Sequence, residues 1–261
     1  TNAVPIIVER AVYLTRGGQF FAAGHESAGV TSPALSWFLA EGNTGTYFDL
    51  FVLIANPNPQ AAQITADYLL VDGTVITRTY TVDPMSRFNI WVDLEDPRLR
   101  DAAVSTTVAS TNGVPVIVER AMWWPGDFGS WMEAHNSPGS TETATRWGLA
   151  EGEVGGVDAV ETYILIANTS SFAGQATVTL LFEDGTTAAQ TVDLLPKSRT
   201  NVPVQETFGA VATGKRFGAI VATTGADGNP AAQIVVERAM YSSVDGVWWS
   251  AGTNALATKL P

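Results

Sequence analysis

Cysteine is absent from the 261-residue sequence, and charged residues are scarce. Without cysteine the chain can form no disulfide, no thiolate zinc site and no thiol nucleophile. Asp, Glu, Lys and Arg together make up 15% of the residues, against roughly 25% in an average globular protein. Thr, Ser, Asn, Gln and Gly must therefore cover most of the surface. This composition favours an extracellular bacterial protein.

Basic residues are few, at 14 against 26 acidic ones, and the net charge is −12. Such an excess of negative charge argues against nucleic acid or an anionic membrane surface as the partner. No apolar run reaches the roughly 18 residues that a membrane-spanning helix requires. Hydrophobic residues nevertheless make up 46% of the chain, which is enough for a packed core.

Histidine occurs only at His25 and His135, which lie 110 residues apart. One histidine per repeat cannot build a Ser-His-Asp triad or a histidine-rich metal site. We therefore predict a turn or interface role for both, no catalytic residues and no cofactor.

An internal repeat organises the whole chain. Glu-Arg-Ala occurs within an apolar strand pattern at Glu9, Glu119 and Glu237, with spacings of 110 and 118 residues. Matched segments in the same order include Trp37–Gly42 with Trp147–Gly152, Leu53–Asn56 with Leu165–Asn168, and Ser86-Arg87 with Ser198-Arg199. A period of this length fits a complete small domain. We predict a first repeat at 37–146 and a second at 147–261, with residues 1–36 as the tail of an earlier copy in a longer protein.

Each repeat carries the pattern of short β-strands separated by turn residues. In the first repeat the predicted strands are Trp37–Ala40, Phe48–Ala55, Gln63–Val71, Val75–Val82, Phe88–Val92, Ala103–Ala109 and Val114–Trp124. Only Pro97–Ala103 and Gln205–Ala212 have room for a short helical turn. About seven strands with turns every 8–12 residues predict an antiparallel β-sandwich, with a closed barrel as the alternative. The predicted fold class is thus all-β, with tandem antiparallel immunoglobulin-like β-sandwiches; the missing cysteine pair excludes only the antibody type.

Four motifs together resemble the tandem immunoglobulin-like repeats of large secreted bacterial proteins. They are Trp37-Phe38-Leu39-Ala40-Glu41-Gly42, Ile54-Ala55-Asn56-Pro57-Asn58, Ser86-Arg87-Phe88-Asn89 and Val118-Glu119-Arg120-Ala121-Met122. The resemblance covers nearly the whole chain. It implies secretion, an extracellular or cell-surface location and a modular parent protein, and it brings no catalytic motif.

The repeated Glu-Arg pairs are the first candidate functional residues. They are Glu9 and Arg10, Glu119 and Arg120, and Glu237 and Arg238. Adjacent strand residues face opposite sides, so each arginine needs another partner, such as Glu41 or Glu151 of the same repeat. We predict structural ion pairs that fix strand register or the contact between repeats. The alternative is a catalytic carboxylate pair, which needs two groups roughly 5–10 Å apart in a cleft.

Acidic residues crowd one loop at Asp93, Glu95, Asp96 and Asp101. Oxygen-rich loops bind Ca²⁺, so these residues are weak calcium candidates. Arg98 and Arg100 lie in the same loop, and the second repeat has Val204-Gln205-Glu206-Thr207 there instead. We predict no metal site.

Three tryptophans have no counterpart in the other repeat, namely Trp91, Trp124 and Trp248. Exposed aromatic rings can stack on the apolar faces of sugars, so these three are the candidates for a carbohydrate platform. The alternative is burial between adjacent repeats.

These observations predict a non-catalytic secreted or cell-surface repeat module that acts as a spacer, an adhesive or a structural array. The alternative is a carbohydrate-binding module of a secreted enzyme, and a third hypothesis is a glycosidase or polysaccharide lyase on a β-sandwich. The predicted partners are neighbouring repeats or a polysaccharide. Self-association through strand exchange would involve residues 4–14.

Overall fold

The computed structural model describes residues 4–16, 18–125, 131–225 and 228–261. The protein is all-β, and its sheets are antiparallel. Strands β1 (Glu9–Arg16) and β2 (Gln19–Ala28) form a two-stranded hairpin ahead of the first repeat.

The first repeat contains two four-stranded sheets. One has the strand order β3-β8-β5-β6 and the other β10-β9-β4-β7. The strands are β3 (Ser36–Leu39), β4 (Asp49–Asn56), β5 (Ala62–Leu70), β6 (Val75–Val82), β7 (Ser86–Trp91), β8 (Val104–Ser110), β9 (Ile117–Trp124) and β10 (Glu133–Pro138).

The second repeat repeats this order, with sheets β16-β13-β18-β19 and β15-β14-β17-β11-β20, and with β12 paired to β17. Its strands are β11 (Arg146–Leu149), β12 (Glu153–Val154), β13 (Glu161–Asn168), β14 (Gly174–Phe182), β15 (Thr187–Leu194), β16 (Ser198–Pro203), β17 (Lys215–Gly225), β18 (Ile234–Val244), β19 (Val247–Leu256) and β20 (Thr258–Lys259). Helical turns occur at Val92–Leu94, Pro97–Leu99 and Gly209–Val211, beside the short helix α1 (Val204–Thr207).

Alternation of buried and exposed side chains explains the strands, because period-two patterns place apolar residues on one face. In β5 the buried residues Ala62, Ile64, Ala66 and Tyr68 alternate with more exposed neighbours. The turn between β5 and β6 has Gly73 at φ 83°, and the equivalent turn between β14 and β15 has Gly185 at φ 79°. Glycine adopts this left-handed conformation without steric penalty.

Each repeat has one hydrophobic core to which both of its sheets contribute. The first core, however, also includes Leu165, Ala239 and Tyr241 from the β16-β13-β18-β19 sheet of the second repeat. Val236, on the opposite face of β18, belongs to the second core. This sheet therefore packs on both sides, and the second repeat completes the core of the first.

The terminal hairpins of successive repeats lie against one another. Strand β2 contacts β10, and β10 contacts β19. Their registers place His25, His135 and Thr253 at equivalent positions, opposite Val12, Met122 and Met240 respectively. Within the described ranges, no helix is long and apolar enough to cross a membrane.

Candidate functional site

Two neighbouring residues on β9 face opposite sides of their sheet. Arg120 is fully buried on the side of the first core, beside Val118 and Met122, whereas Glu119 is partly exposed on the other side. The sequence predicted an ion pair for both residues. In the structure, Glu119 pairs with Arg10, whereas Arg120 pairs with Glu41 and Glu237. The contact between the repeats is built around Arg120.

Arg120 bridges two carboxylates that come from different repeats. Its Nη2 lies 2.6 Å from Glu41 Oε2 in the first repeat, and its Nη1 donates to Glu237 Oε2 of the second repeat at 2.7 Å. The side chains of Arg120 and Glu237 are 0% exposed, and that of Glu41 is 3% exposed. We call the cluster of Glu41, Arg120, Glu237, Arg199 and Tyr241 the joint.

Further hydrogen bonds fix both carboxylates of the joint. The backbone amide of Ala40 donates to Glu237 Oε1 at 2.8 Å. The hydroxyl of Tyr241 donates to Glu41 Oε1 at 3.3 Å, and His135 Nε2 lies 3.4 Å from the same oxygen. Residues of both repeats therefore hold Glu41 in place, and two residues of the first repeat hold Glu237 of the second.

Arg199, on β16 of the second repeat, extends into the first repeat. Its Nη1 donates to the backbone carbonyls of Ala40, Gly42 and Val104 at 2.8, 3.1 and 2.8 Å. Three carbonyl acceptors around one guanidinium form a charge-assisted contact without a carboxylate partner. Arg199 thus joins the second repeat to the backbone of the first.

The electrostatics of the joint follow from burial and opposite charge. Burial alone would raise the pKa of Glu41, but Arg120, His135 and Arg199 lower it to about 2. Burial lowers the pKa of Arg199 to about 10, while Glu41 and Glu237 oppose that shift. Burial and the charge of Glu41 raise the pKa of Tyr241 well above 10. Glu41 is therefore ionised at neutral pH, and the guanidinium groups of Arg120 and Arg199 stabilise its charge.

The joint holds the two repeats together and leaves no room for a substrate between its two carboxylates. The side chains of Glu41 and Glu237 are buried, and both are paired with Arg120. Acid–base work on a glycoside needs an open site between the carboxyl groups. The carboxylate pair of the joint therefore cannot act as that catalytic pair.

The remaining Glu-Arg candidates form more exposed pairs. Arg10 Nη1 donates to Glu119 Oε2 at 2.8 Å, with side chains 42% and 18% exposed. Arg238 Nη2 lies 3.1 Å from Glu151 Oε2, with side chains 4% and 67% exposed. Glu9 is exposed on β1. An arginine on one hairpin thus meets the glutamate of the next hairpin twice, as Arg10 with Glu119 and Arg120 with Glu237.

The calcium candidates are directed to separate protein partners. Asp93 accepts hydrogen bonds from the backbone amides of Gly45 and Leu50, and Glu95 accepts a hydrogen bond from the side-chain hydroxyl of Tyr80. Asp96 is paired with Arg78 and Arg98, and the Asp101 carboxylate lies beside Gly45. Across the described parts of the chain, no group of three or more His, Asp or Glu residues is placed to hold a metal ion.

The three candidate tryptophans occupy different environments. Trp124 is fully buried, and its Nε1 donates to the Trp249 carbonyl at 2.8 Å, so it cannot face a ligand. Its ring lies against Gly252, where a Cβ would come within 2.8 Å of Cζ2. Trp91 is half-buried beside Phe51. Trp248 is 54% exposed and stacks on Trp249, with ring centroids 4.0 Å apart.

Arg199 and Tyr241 are joint residues that the sequence analysis did not select. A signal was present, because Ser86-Arg87 and Ser198-Arg199 recur in the repeat. The sequence alone, however, does not distinguish an arginine that is exposed from one that is buried. Arg87 is exposed, whereas its equivalent Arg199 is 4% exposed.

Comparison with known proteins gives no family. No family model matches the chain, and no curated protein does. Among solved structures, Thermotoga maritima 1070 is 18% identical over 42% of this chain and 96% of its own, with a TM-score of 0.37. The Anabaena sensory rhodopsin transducer is 17% identical over 35% of this chain and 91% of its own, with a TM-score of 0.31. Likenesses this weak indicate neither fold nor function.

Proposed function

We propose that the chain is a non-catalytic repeat module in which immunoglobulin-like β-sandwiches stack rigidly to form a spacer or adhesive array at the cell surface. One observation carries the proposal: Arg120 bridges Glu41 and Glu237 across two repeats while all three side chains are at most 3% exposed. Such a bridge forms only when the repeats hold one relative orientation. A module with this property keeps the position and orientation of each repeat fixed relative to the next.

The connection between the repeats supports the same proposal. Ser140 forms backbone hydrogen bonds with Phe38 of the first repeat, and Ala144 forms them with Ile234 of the second, at 2.8 to 3.0 Å. The connecting segment is therefore bound on both sides and is not a free linker. Flexible linkers lack such backbone contacts.

The proposal predicts that the two repeats unfold as one unit. Hydrogen exchange in increasing urea should give the same opening free energy for β5 and for β14, the buried central strands of the first and second repeats. The reason is that the second repeat completes the first core. Replacing Arg199→Met should lower the stability by about 1–3 kcal/mol, since it leaves buried carbonyls without their charged donor.

Arg87→Met is the matched control, because Arg87 is the exposed equivalent of Arg199. Its effect should stay within about 0.5 kcal/mol. Separate unfolding of β5 and β14 in the unmodified chain would contradict a rigid array.

Carbohydrate binding is the second candidate function, and exposed Trp248 favours it. Stacking on Trp249 covers one face of the Trp248 ring, so a sugar would have to stack on the other face. Titration with cellulose, xylan, mannan, chitin and pectin would then give a saturable change in tryptophan fluorescence. Trp248→Ala should abolish that change, whereas Phe20→Ala, at an exposed residue of the first hairpin, should retain it. No response in the unmodified chain would exclude binding to these polymers and leave the spacer function in place.

A further inference from the structure

The second repeat has a cavity at the position that corresponds to the first repeat's side of the joint. In the first repeat, the second repeat fills this position. The cavity has a volume of about 390 Å³. Arg238 lies beside it through its pair with Glu151 and is 4% exposed, yet its Nε and Nη1 have no hydrogen-bond partner. Buried guanidinium nitrogens are normally satisfied, so this end lacks acceptors. We call it the open end; it is lined by Ala150, Glu151, Gly152, Phe217 and Met240.

The first repeat shows what covers such an end. By repeat position and strand register, the open end corresponds to Ala40, Glu41, Gly42, Val104 and Met122. In the joint, these residues meet one sheet face of the second repeat. That face supplies Leu165 to the first core and uses Arg199 and Glu237 for its polar contacts.

The equivalent sheet face of the first repeat is incompletely covered. It contains Leu53, Arg87, Glu119, Ala121 and Trp123, which correspond to Leu165, Arg199, Glu237, Ala239 and Tyr241. We call it the outer face. The β1–β2 hairpin covers part of it through the Arg10–Glu119 pair, and a cavity of about 440 Å³ remains beneath Arg10 and Val12. The exposed Arg87 lines this cavity.

The open end and the outer face are complementary, and we propose that the open end of one molecule binds the outer face of a second copy of this chain, head to tail. Arg87 of the second copy would donate to the carbonyls of Ala150 and Gly152, as Arg199 does to Ala40 and Gly42. Glu119 would accept from Arg238, as Glu237 accepts from Arg120. This inference rests on the proposed stacking function and names its partner.

The β1–β2 hairpin occupies the place of the incoming hairpin and must move aside. Displacing it breaks the packing of β2 against β10 and the partly exposed Arg10–Glu119 pair, and such a pair contributes about 0–1 kcal/mol. The bridge that replaces it would be buried, with Arg238 gaining the acceptor that it lacks. Because the two surfaces differ, the contact is heterologous, and repeating it from molecule to molecule builds either a closed ring or an open-ended chain.

Sedimentation velocity of the full chain, from low micromolar to millimolar concentration, tests the proposal. Association should increase with concentration. Arg87→Glu should stay monomeric, because it places a carboxylate against the carbonyls of Ala150 and Gly152 and beside Glu151. Glu151→Arg should stay monomeric, because it places a third guanidinium beside Arg87 and Arg238. An equimolar mixture of the two variants should form dimers, because the unmodified open end of Arg87→Glu meets the unmodified outer face of Glu151→Arg. Arg100→Glu is the matched control; Arg100 is exposed and lines neither cavity, so this variant should associate like the unmodified chain.

A monomeric unmodified chain at every concentration would overturn the proposal, as would association that survives both charge reversals. Exposed sites were chosen so that the variants fold, and circular dichroism of each variant checks this. The rigid internal joint is measured separately by the exchange of β5 and β14. Common unfolding with no self-association would therefore reject the second copy as partner and retain the stacking function.

Discussion

Replacing Arg120→Met should lower the free energy of unfolding by about 3–5 kcal/mol. The substitution leaves Glu41 and Glu237 in the joint without the guanidinium that bridges them, and both side chains are at most 3% exposed. Breaking a buried ion pair by removing one partner is strongly destabilising, because the other charge stays out of water. Urea unfolding followed by far-ultraviolet circular dichroism measures the loss.

Arg10→Met provides the matched control for that experiment. Arg10 occupies the same repeat position and also pairs with a glutamate, but its side chain is 42% exposed. We expect a change within about 1 kcal/mol. Adding Glu237→Gln to Arg120→Met should recover part of the loss, because the remaining carboxylate of Glu41 is then balanced by Arg199. Equal effects of Arg10→Met and Arg120→Met would show that burial of the joint does not determine its contribution.

Stability should depend on pH with a maximum in the mildly acidic range. The pKa of Glu41 is lowered in the folded state from 4.5, so its contribution is complete above pH 4.5 and is lost as the pH falls towards 2. Burial raises the pKa of Asp93 from 3.8 to about 6 and that of Glu133 from 4.5 to about 7. Their contribution is complete below their unfolded values and is lost as the pH rises through 6 and 7.

The urea midpoint should therefore rise as the pH falls from 7 to about 5, and it should decrease below about pH 4.5. Glu41→Gln should flatten the acidic limb, and Asp93→Asn should flatten the limb near pH 6. A midpoint that falls steadily from pH 7 downwards would contradict the raised pKa of Asp93 and Glu133.

Local patterns predicted most strands of the first repeat, although not β10. The predicted strand Val75–Val82 has those bounds in the structure, and the predicted Val114–Trp124 is shortened to Ile117–Trp124. Such strands can be predicted from sequence because the alternation of apolar and polar residues and the flanking turn residues span only a few neighbouring positions. The predicted turn Pro97–Ala103 contains the helical turn Pro97–Leu99, and the predicted turn Gln205–Ala212 overlaps α1 and contains the helical turn Gly209–Val211. The all-β antiparallel class follows from these local signals.

Contacts between repeats were harder to predict. Pairing of Arg120 with Glu41 could be proposed within one repeat, but its second partner, Glu237, lies 117 residues away. Only the packing of β18 against the first core brings Glu237 to Arg120. Burial between adjacent repeats was one interpretation of the unrepeated Trp124, but the sequence did not identify β19 as the strand that covers it. Burial that depends on a neighbouring repeat leaves no periodic signal in either strand.

The shared bridge ties the evolution of adjacent repeats together. Arg120 needs one carboxylate from its own repeat and another from the following repeat. Loss of either acidic group would leave an unbalanced charge in a dry interior. A substitution at one of these three positions therefore calls for matching changes at the other two, one of which always lies in the adjacent repeat.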